Sequence, residues 1–212
     1  MKSQDIVVLF KLVSLHTEFF HENSFEKELL YLDNELSDWD ENEFSYKEPS
    51  LLPEYINRRF SVRSLENETG ISKSQISLSM KRMEDVGLLK IDRKLGLPKT
   101  NAKALLEFIA YGISYVYPAK EGALSRGIAT SVAAPVLQGK LMSSGELSPV
   151  WPYAEGKTKG LAVTPLHPNV DKAIQKDNRM YAYLALTDAI RLGNPRERNF
   201  SLEVLKKIIM VI

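Results

Sequence analysis

Cysteine is absent from the 212 residues, which excludes disulfides, thiolate metal sites and cysteine nucleophiles. The absence also fits a reducing cytoplasm, where the protein is expected. Histidine is scarce, at three residues, too few to suggest a metal site or a catalytic triad. His16 and His21 are off one helical face, and His167 follows a proline-containing stretch. No run of about 18 apolar residues occurs, so no membrane span is expected. The N-terminal stretch carries Asp5 and Lys11 among apolar residues and lacks a small-residue cleavage signal, so it reads as a folded helix rather than a secretory leader. A large charge of one sign is missing too. The formal net charge is +1, which by itself points to no polyanionic partner. Gly156-Lys157-Thr158 ends like a phosphate-binding loop, but the glycine that should open the pattern is Trp151. No cofactor, metal or catalytic residue set is expected, and the chain does not read as an enzyme.

What is present is the composition of an ordinary globular protein, 44% hydrophobic and 26% charged. The length suits one domain or two small ones. The near-neutral total conceals a segregation. From Glu22 to Glu48 there are ten acidic residues against two basic ones, and from Arg58 to Lys103 eleven basic against five acidic. Such blocks point to a local function that the sum hides, or to ordinary solvated faces.

Apolar spacing predicts a first helix over 4–15, with Ile6, Leu9, Phe10 and Val13 on one stripe. A second is predicted over 23–39, opened by an Asn23/Glu26 capping box and striped by Phe25, Leu29, Leu32, Leu36 and Trp39. Its stripe either covers the core or forms an interface with a partner. A polar loop follows over 40–53, then a short helical turn over 54–60. Helices are predicted over 61–68 and 72–86, separated by Thr69-Gly70-Ile71. The second is opened by a Ser72/Gln75 capping box and buries Ile76, Met80 and Met83. A short strand over 88–91, a turn over 93–99 and an apolar helix from Asn101 to about Tyr117 complete this half. Between Pro118 and Pro168 lie six of the ten prolines and six of the eleven glycines. That segment reads as an extended wrap over the core or a small irregular sheet. Trp151 and Tyr153 either line a pocket there or belong to plain core. Helices return at about 169–176, 178–192 and 195–210, the last opened by Asn194, Pro195 and Glu197. Asp188, Arg191, Arg196 and Arg198 form a charged cluster whose simplest role is local ion pairing.

The segment SVRSLENETGISKSQISLSMKRMEDVGLLK, residues 61–90, resembles the winged helix-turn-helix DNA-binding domain of MarR-type bacterial regulators. The resemblance rests on Leu65, the Gly70-Ile71-Ser72 turn, Ile76, Arg82-Met83-Glu84 and Gly87-Leu88-Leu89. It covers about 30 residues closely, and residues 1–115 in outline. It implies that helix 72–86 enters the major groove of double-stranded DNA with its N-terminal part toward the bases. Lys73, Ser74, Gln75, Ser77, Lys81 and Arg82 would then face DNA, Gln reading adenine and Lys or Arg reading guanine or holding phosphates. Arg93, Lys94 and Lys99 would sit on the wing. Leu78 would touch a thymine methyl or pack on a neighbour. Arg82→Ala would cost about 1–3 kcal/mol of binding if the guanidinium contacts a base bidentately.

The expected fold is mainly α (α+β): a winged-helix domain over 1–117 with an insertion at about 18–58, then a Pro/Gly-rich segment and C-terminal helices over 118–212. The expected function is sequence-specific DNA binding by a transcriptional regulator, as a homodimer. The alternative is a protein-interaction module, antitoxin-like or part of an assembly, that binds a partner protein through its C-terminal half.

Overall fold

The computed structural model describes residues 1–20, 52–141, 147–175 and 177–210. The helix expected over 23–39 lies outside the described residues. The first helix, α1 (Ser3–Phe20), is longer than its apolar stripe suggests. It carries apolar side chains on every face, and every residue from Asp5 to Thr17 is buried. A helix with no polar face has to be enclosed. Its neighbours are the helices and strands described next.

Helix α2 (Leu52–Arg59) leads into α3 (Val62–Thr69). Ser61 caps α3 by accepting from the Ser64 N–H, and Gly70 ends it in the left-handed region at φ +68°. Helix α4 spans Lys73–Asp85. The Ser72/Gln75 capping box expected at its start is not formed, since Ser72 makes no capping bond. Gln75 Oε1 instead accepts from Gln4 Nε2 of α1 at 2.8 Å. The Lys73 N–H donates to Glu66 Oε1 of α3 at 3.2 Å. Partners distant in sequence have replaced the local ones.

Strands β1 (Leu89–Ile91) and β2 (Pro98–Thr100) form an antiparallel hairpin. β2 stands where the sequence suggests only a turn. Pro98 is tolerated because it is the first residue of a two-stranded edge. In the hairpin turn Asp92 Oδ1 accepts from the Lys94 and Leu95 N–H groups at 2.8 and 3.1 Å. The long helix expected after the hairpin is interrupted at Gly112, giving α5 (Ala102–Tyr111) and α6 (Ile113–Val116).

The proline- and glycine-rich segment is a small sheet and not an extended wrap. Strand β3 (Glu121–Ala129) pairs antiparallel with both β4 (Ser148–Pro152) and β5 (Thr158–Val163), and β4 pairs parallel with β5. The three strands close into a miniature barrel. A barrel this narrow brings backbones together at Gly127 and Gly160. A Cβ at Gly127 would run into the Trp151 carbonyl, and one at Gly160 into the Ser148 carbonyl.

Helices α7 (Val170–Ile174), α8 (Asn178–Leu192) and α9 (Pro195–Ile209) complete the chain. The capping box between Asn194 and Glu197 forms at the start of α9. α8 is buried continuously from Met180 to Ile190 and packs on α1, on α9 and on the barrel side through the short 3-10 turns at 131–133 and 135–137. α1 is thus enclosed by α3, α4, β2 and α8. Among the described residues the architecture is mainly helical with two small sheets. One buried apolar cluster joins Leu9, Leu65, Ile76 and Ile109 of the first expected half to Trp151, Leu186 and Leu205 of the second.

Gly160→Ala is expected to destabilise the protein by at least ~1–3 kcal/mol, because the barrel must open to admit the methyl group. Urea denaturation measures this. An unchanged midpoint would contradict the close approach of β4 and β5.

Candidate nucleic-acid interface

α4 presents three kinds of surface. Ile76, Ser79 and Met83 are buried, with Met80 half-buried beside them. This shifts the buried stripe from the expected Ile76, Met80 and Met83 toward α1. Gln75 and Arg82, expected to face outward, are half-buried on the α1 side. Ser74, Ser77, Leu78 and Lys81 are exposed and share the outward face, with Lys73 exposed at its start. Lys73 Nζ stands 3.6 Å from Glu66 Oε2. Leu78 is 50% exposed.

Arg82 is committed elsewhere. Asp5 of α1 is fully buried. Its Oδ1 accepts from Arg82 Nη2 at 2.5 Å and from Ser79 Oγ at 2.7 Å. Its Oδ2 accepts from Arg82 Nε at 3.2 Å and from the Lys2 N–H at 2.6 Å. Two of the three guanidinium nitrogens thus point at a buried carboxylate. Such a charge is costly to bury unless paired and hydrogen-bonded. The contact fixes α4 on α1, and it engages the guanidinium fork that the sequence resemblance aimed at DNA.

The hairpin carries the other candidate cations. Lys90 and Lys99 are directly opposite each other across β1 and β2. Residues directly opposite in an antiparallel pair share a face. The neighbouring pair, Leu89 and Thr100, is buried on the other face, where Thr100 Oγ1 donates to the Leu9 carbonyl at 3.0 Å. His16 of α1 bonds the Pro98 carbonyl at 3.0 Å. The hairpin's inner face is therefore fastened to α1 and its outer face is lysine. Arg93 and Lys94 are exposed at the turn. Among the described residues, Lys81, Lys90, Arg93, Lys94 and Lys99 make no ion pair. Lys90 escaped the sequence reasoning. The alternation through Leu88-Leu89-Lys90 hinted at its outward aim, but its partner Lys99 depended on a strand that local propensity did not announce.

Two further charged groups are structural. Lys11, 2% exposed, lies 2.6 Å from Glu68 Oε2 and 2.7 Å from Asp177 Oδ2. Asp177 Oδ2 also accepts from Ser14 Oγ, while its Oδ1 caps α8 at the Met180 N–H. Asp188 of α8 is buried with Arg191 Nη1 at 2.5 Å, Trp151 Nε1 at 2.6 Å and Thr130 Oγ1 at 3.1 Å. Burial holds its carboxyl above the ordinary value against the pull of Arg191. The Asp188–Arg191 part of the cluster read from the sequence is thus a pin between α8 and the barrel, and Trp151 is core. Arg198 donates to the Ala110 carbonyl, while Arg196 is exposed. Glu121 and Arg126 are exposed on β3, whereas Asp188 is buried. Gly156-Lys157-Thr158 leads into strand β5 and not into a helix.

No family model matches the chain, and neither a curated protein nor a solved structure matches it. Among the described residues, no helix is long and apolar enough to cross a membrane, and no three His, Asp or Glu side chains are grouped to hold a metal.

Burial pushes the Asp5 carboxyl up, but the bonds from Arg82, the Lys2 N–H and Ser79 outweigh it and hold the group below its ordinary value. A depressed folded-state value means that these bonds stabilise fully above the unfolded carboxylate range. Their contribution is lost as pH falls through the folded value. Asp5→Asn is therefore expected to lower the urea midpoint most at neutral pH, with the gap from wild type closing as the solution is acidified. A gap independent of pH would contradict this electrostatic role.

Proposed function

We propose that the protein is a winged-helix transcriptional regulator that binds double-stranded DNA sequence-specifically in the bacterial cytoplasm, as a homodimer. The observation that carries this reading is the Lys90–Lys99 cross-strand pair, flanked by the exposed Arg93 and Lys94. Like charges directly opposite on a hairpin destabilise it. Asp92 at the turn interacts electrostatically with Lys99, but no carboxylate among the described residues forms an ion pair with either lysine. A polyanion laid across the pair would offset the repulsion, and its phosphates would release counterions on binding.

Further support comes from the element order. Helix α3, a tight turn, helix α4 and a two-stranded hairpin follow the sequence of a helix-turn-helix with a wing. Docking would place the outward face of α4 in the major groove and the hairpin lysines along the backbone. Ser74, Ser77, Leu78 and Lys81 meet base edges, with Lys73 at the groove entrance. Gln75 and Arg82 act one layer behind, holding the reading helix to α1. Two such helices, one per protomer, would read half-sites about 34 Å apart.

The test is fluorescence anisotropy with the DNA upstream of the protein's own coding sequence and with a scrambled duplex, across a salt series. Specific binding with a log–log salt slope of several ions is expected. Lys90→Gln combined with Lys99→Gln is expected to weaken binding to both duplexes and to lower the slope by about one for each phosphate no longer neutralised. The double variant should be at least as stable as wild type, since a repulsion is removed. Light scattering on the same sample should give twice the 24.0 kDa of one chain. No binding to either duplex at low salt would overturn the proposal and direct attention to protein partners of the C-terminal half.

A further inference from the structure

We infer that the outward face of α4 selects DNA whose half-site carries a thymine under Leu78, the 5-methyl group of that base packing on the leucine. The inference rests on the DNA-binding reading above and specifies its ligand. Two observations on one helix lead to it. The first is the engagement of the polar residues best suited to base readout. Arg82 donates through Nε and Nη2 to the buried Asp5, and Gln75 Oε1 accepts from Gln4. Bidentate Arg–guanine and Gln–adenine pairs are the strongest direct contacts available in the major groove. On α4 both would require breaking a bond to α1. For Arg82 it would also leave a buried carboxylate without its cation, which is strongly unfavourable.

The second observation is what remains. Leu78 stands half-exposed on the outward face, one turn from Ser74 and from Lys81. Its neighbours one turn away on that helix face are a hydroxyl and an ammonium, and the other exposed apolar side chains of this region, Val86, Ile91 and Leu95, lie past the end of α4 or on the hairpin. In the major groove only thymine offers an apolar group, its C5-methyl. A leucine flanked by serine hydroxyls and a lysine therefore matches a thymine set among hydrogen-bond acceptors, with Lys81 reaching a phosphate or a guanine O6 beside it. Glu84 and Asp85 are exposed in the last turn of the helix, which keeps that end away from the phosphates and directs Ser74 and Leu78 inward.

The experiment uses the full chain and a duplex library with a randomised core. Bound duplexes are selected, and the enriched sequence is resynthesised with single dT→dU replacements, which remove only the 5-methyl group. Wild type is expected to lose affinity about four-fold at one dU position per half-site, the worth of one buried methyl group. Leu78→Ala, at an exposed site, should bind dT and dU duplexes equally while keeping the salt slope of wild type. The wild-type arm stands even without the variant. Insensitivity of wild type to every dU replacement would overturn the inference while leaving the DNA-binding reading in place. So would a Leu78→Ala protein that still discriminates dT from dU. Failure to enrich any sequence, with no duplex bound at low salt, would overturn the DNA-binding reading and this inference together.

Discussion

A helix enclosed on all sides must have every polar side chain answered by a neighbour, and α1 is such a helix. Asp5, Lys11, Ser14, His16 and Thr17 are all buried along it. Thr17 turns back to the Val13 carbonyl. The other four reach outward to different elements: Asp5 to α4, Lys11 to α3 and the start of α8, Ser14 to the same Asp177, and His16 to β2. Apolar packing supplies most of the favourable free energy of a core but is non-directional. The hydrogen-bonded charges supply direction, because an unanswered buried charge is too costly to tolerate. They fix where α3, α4, the hairpin and α8 stand around one axis.

That constraint divides the basic block into two populations. Arg59 pairs with Glu18 and Glu68, and Arg82 with Asp5, so these cations serve the fold. Lys81, Lys90, Arg93, Lys94 and Lys99 stand on the outer surface of the same elements. Among the cations, the proposed function draws on the second population and on Lys73, which also reaches Glu66. Its geometry nonetheless depends on the first, because α1 sets the angle between α4 and the hairpin. Rigid support behind a set of exposed contacting groups is what a reader of a regular double helix requires.

Much of the fold was legible in the sequence. The alternation of 3.6-residue stripes with Gly70 and Gly87 located α3, α4 and the strand after them. Asn194-Pro195 with Glu197 marked the start of α9, because that cap is made within four residues. What escaped was decided at long range. The Ser72/Gln75 box lost to Gln4 and Glu66. Pro98 and its neighbours became a strand because β1 and α1 were there to receive them. The glycines of the 118–168 segment are needed where strands far apart in sequence nearly touch, so only the segment's looseness showed and not its barrel. For the candidate site, Lys73, Ser74, Ser77, Lys81, Arg93, Lys94 and Lys99 were found from a motif and lie on or beside the outer surface. Arg82 and Gln75 were misplaced for one physical reason. Both are bound to α1: Gln75 to Gln4, and Arg82 to Asp5, an aspartate buried in the first turn of that helix, which needs a cation. The sequence held both halves of that pair, 77 residues apart, without stating their pairing.

Arg82, half-buried, is bound to the fully buried Asp5 and serves the fold, and on this the rest depends. A double-mutant cycle with Asp5→Asn and Arg82→Ala, read by urea denaturation alongside DNA affinity for each folded variant, tests it most directly. A coupling of about 1–3 kcal/mol in stability is expected, typical of residues in one buried network. Little change in DNA salt slope is expected for folded Arg82→Ala. Additive effects on stability, with a DNA affinity and slope that collapse for Arg82→Ala alone, would contradict this and return Arg82 to the reading face.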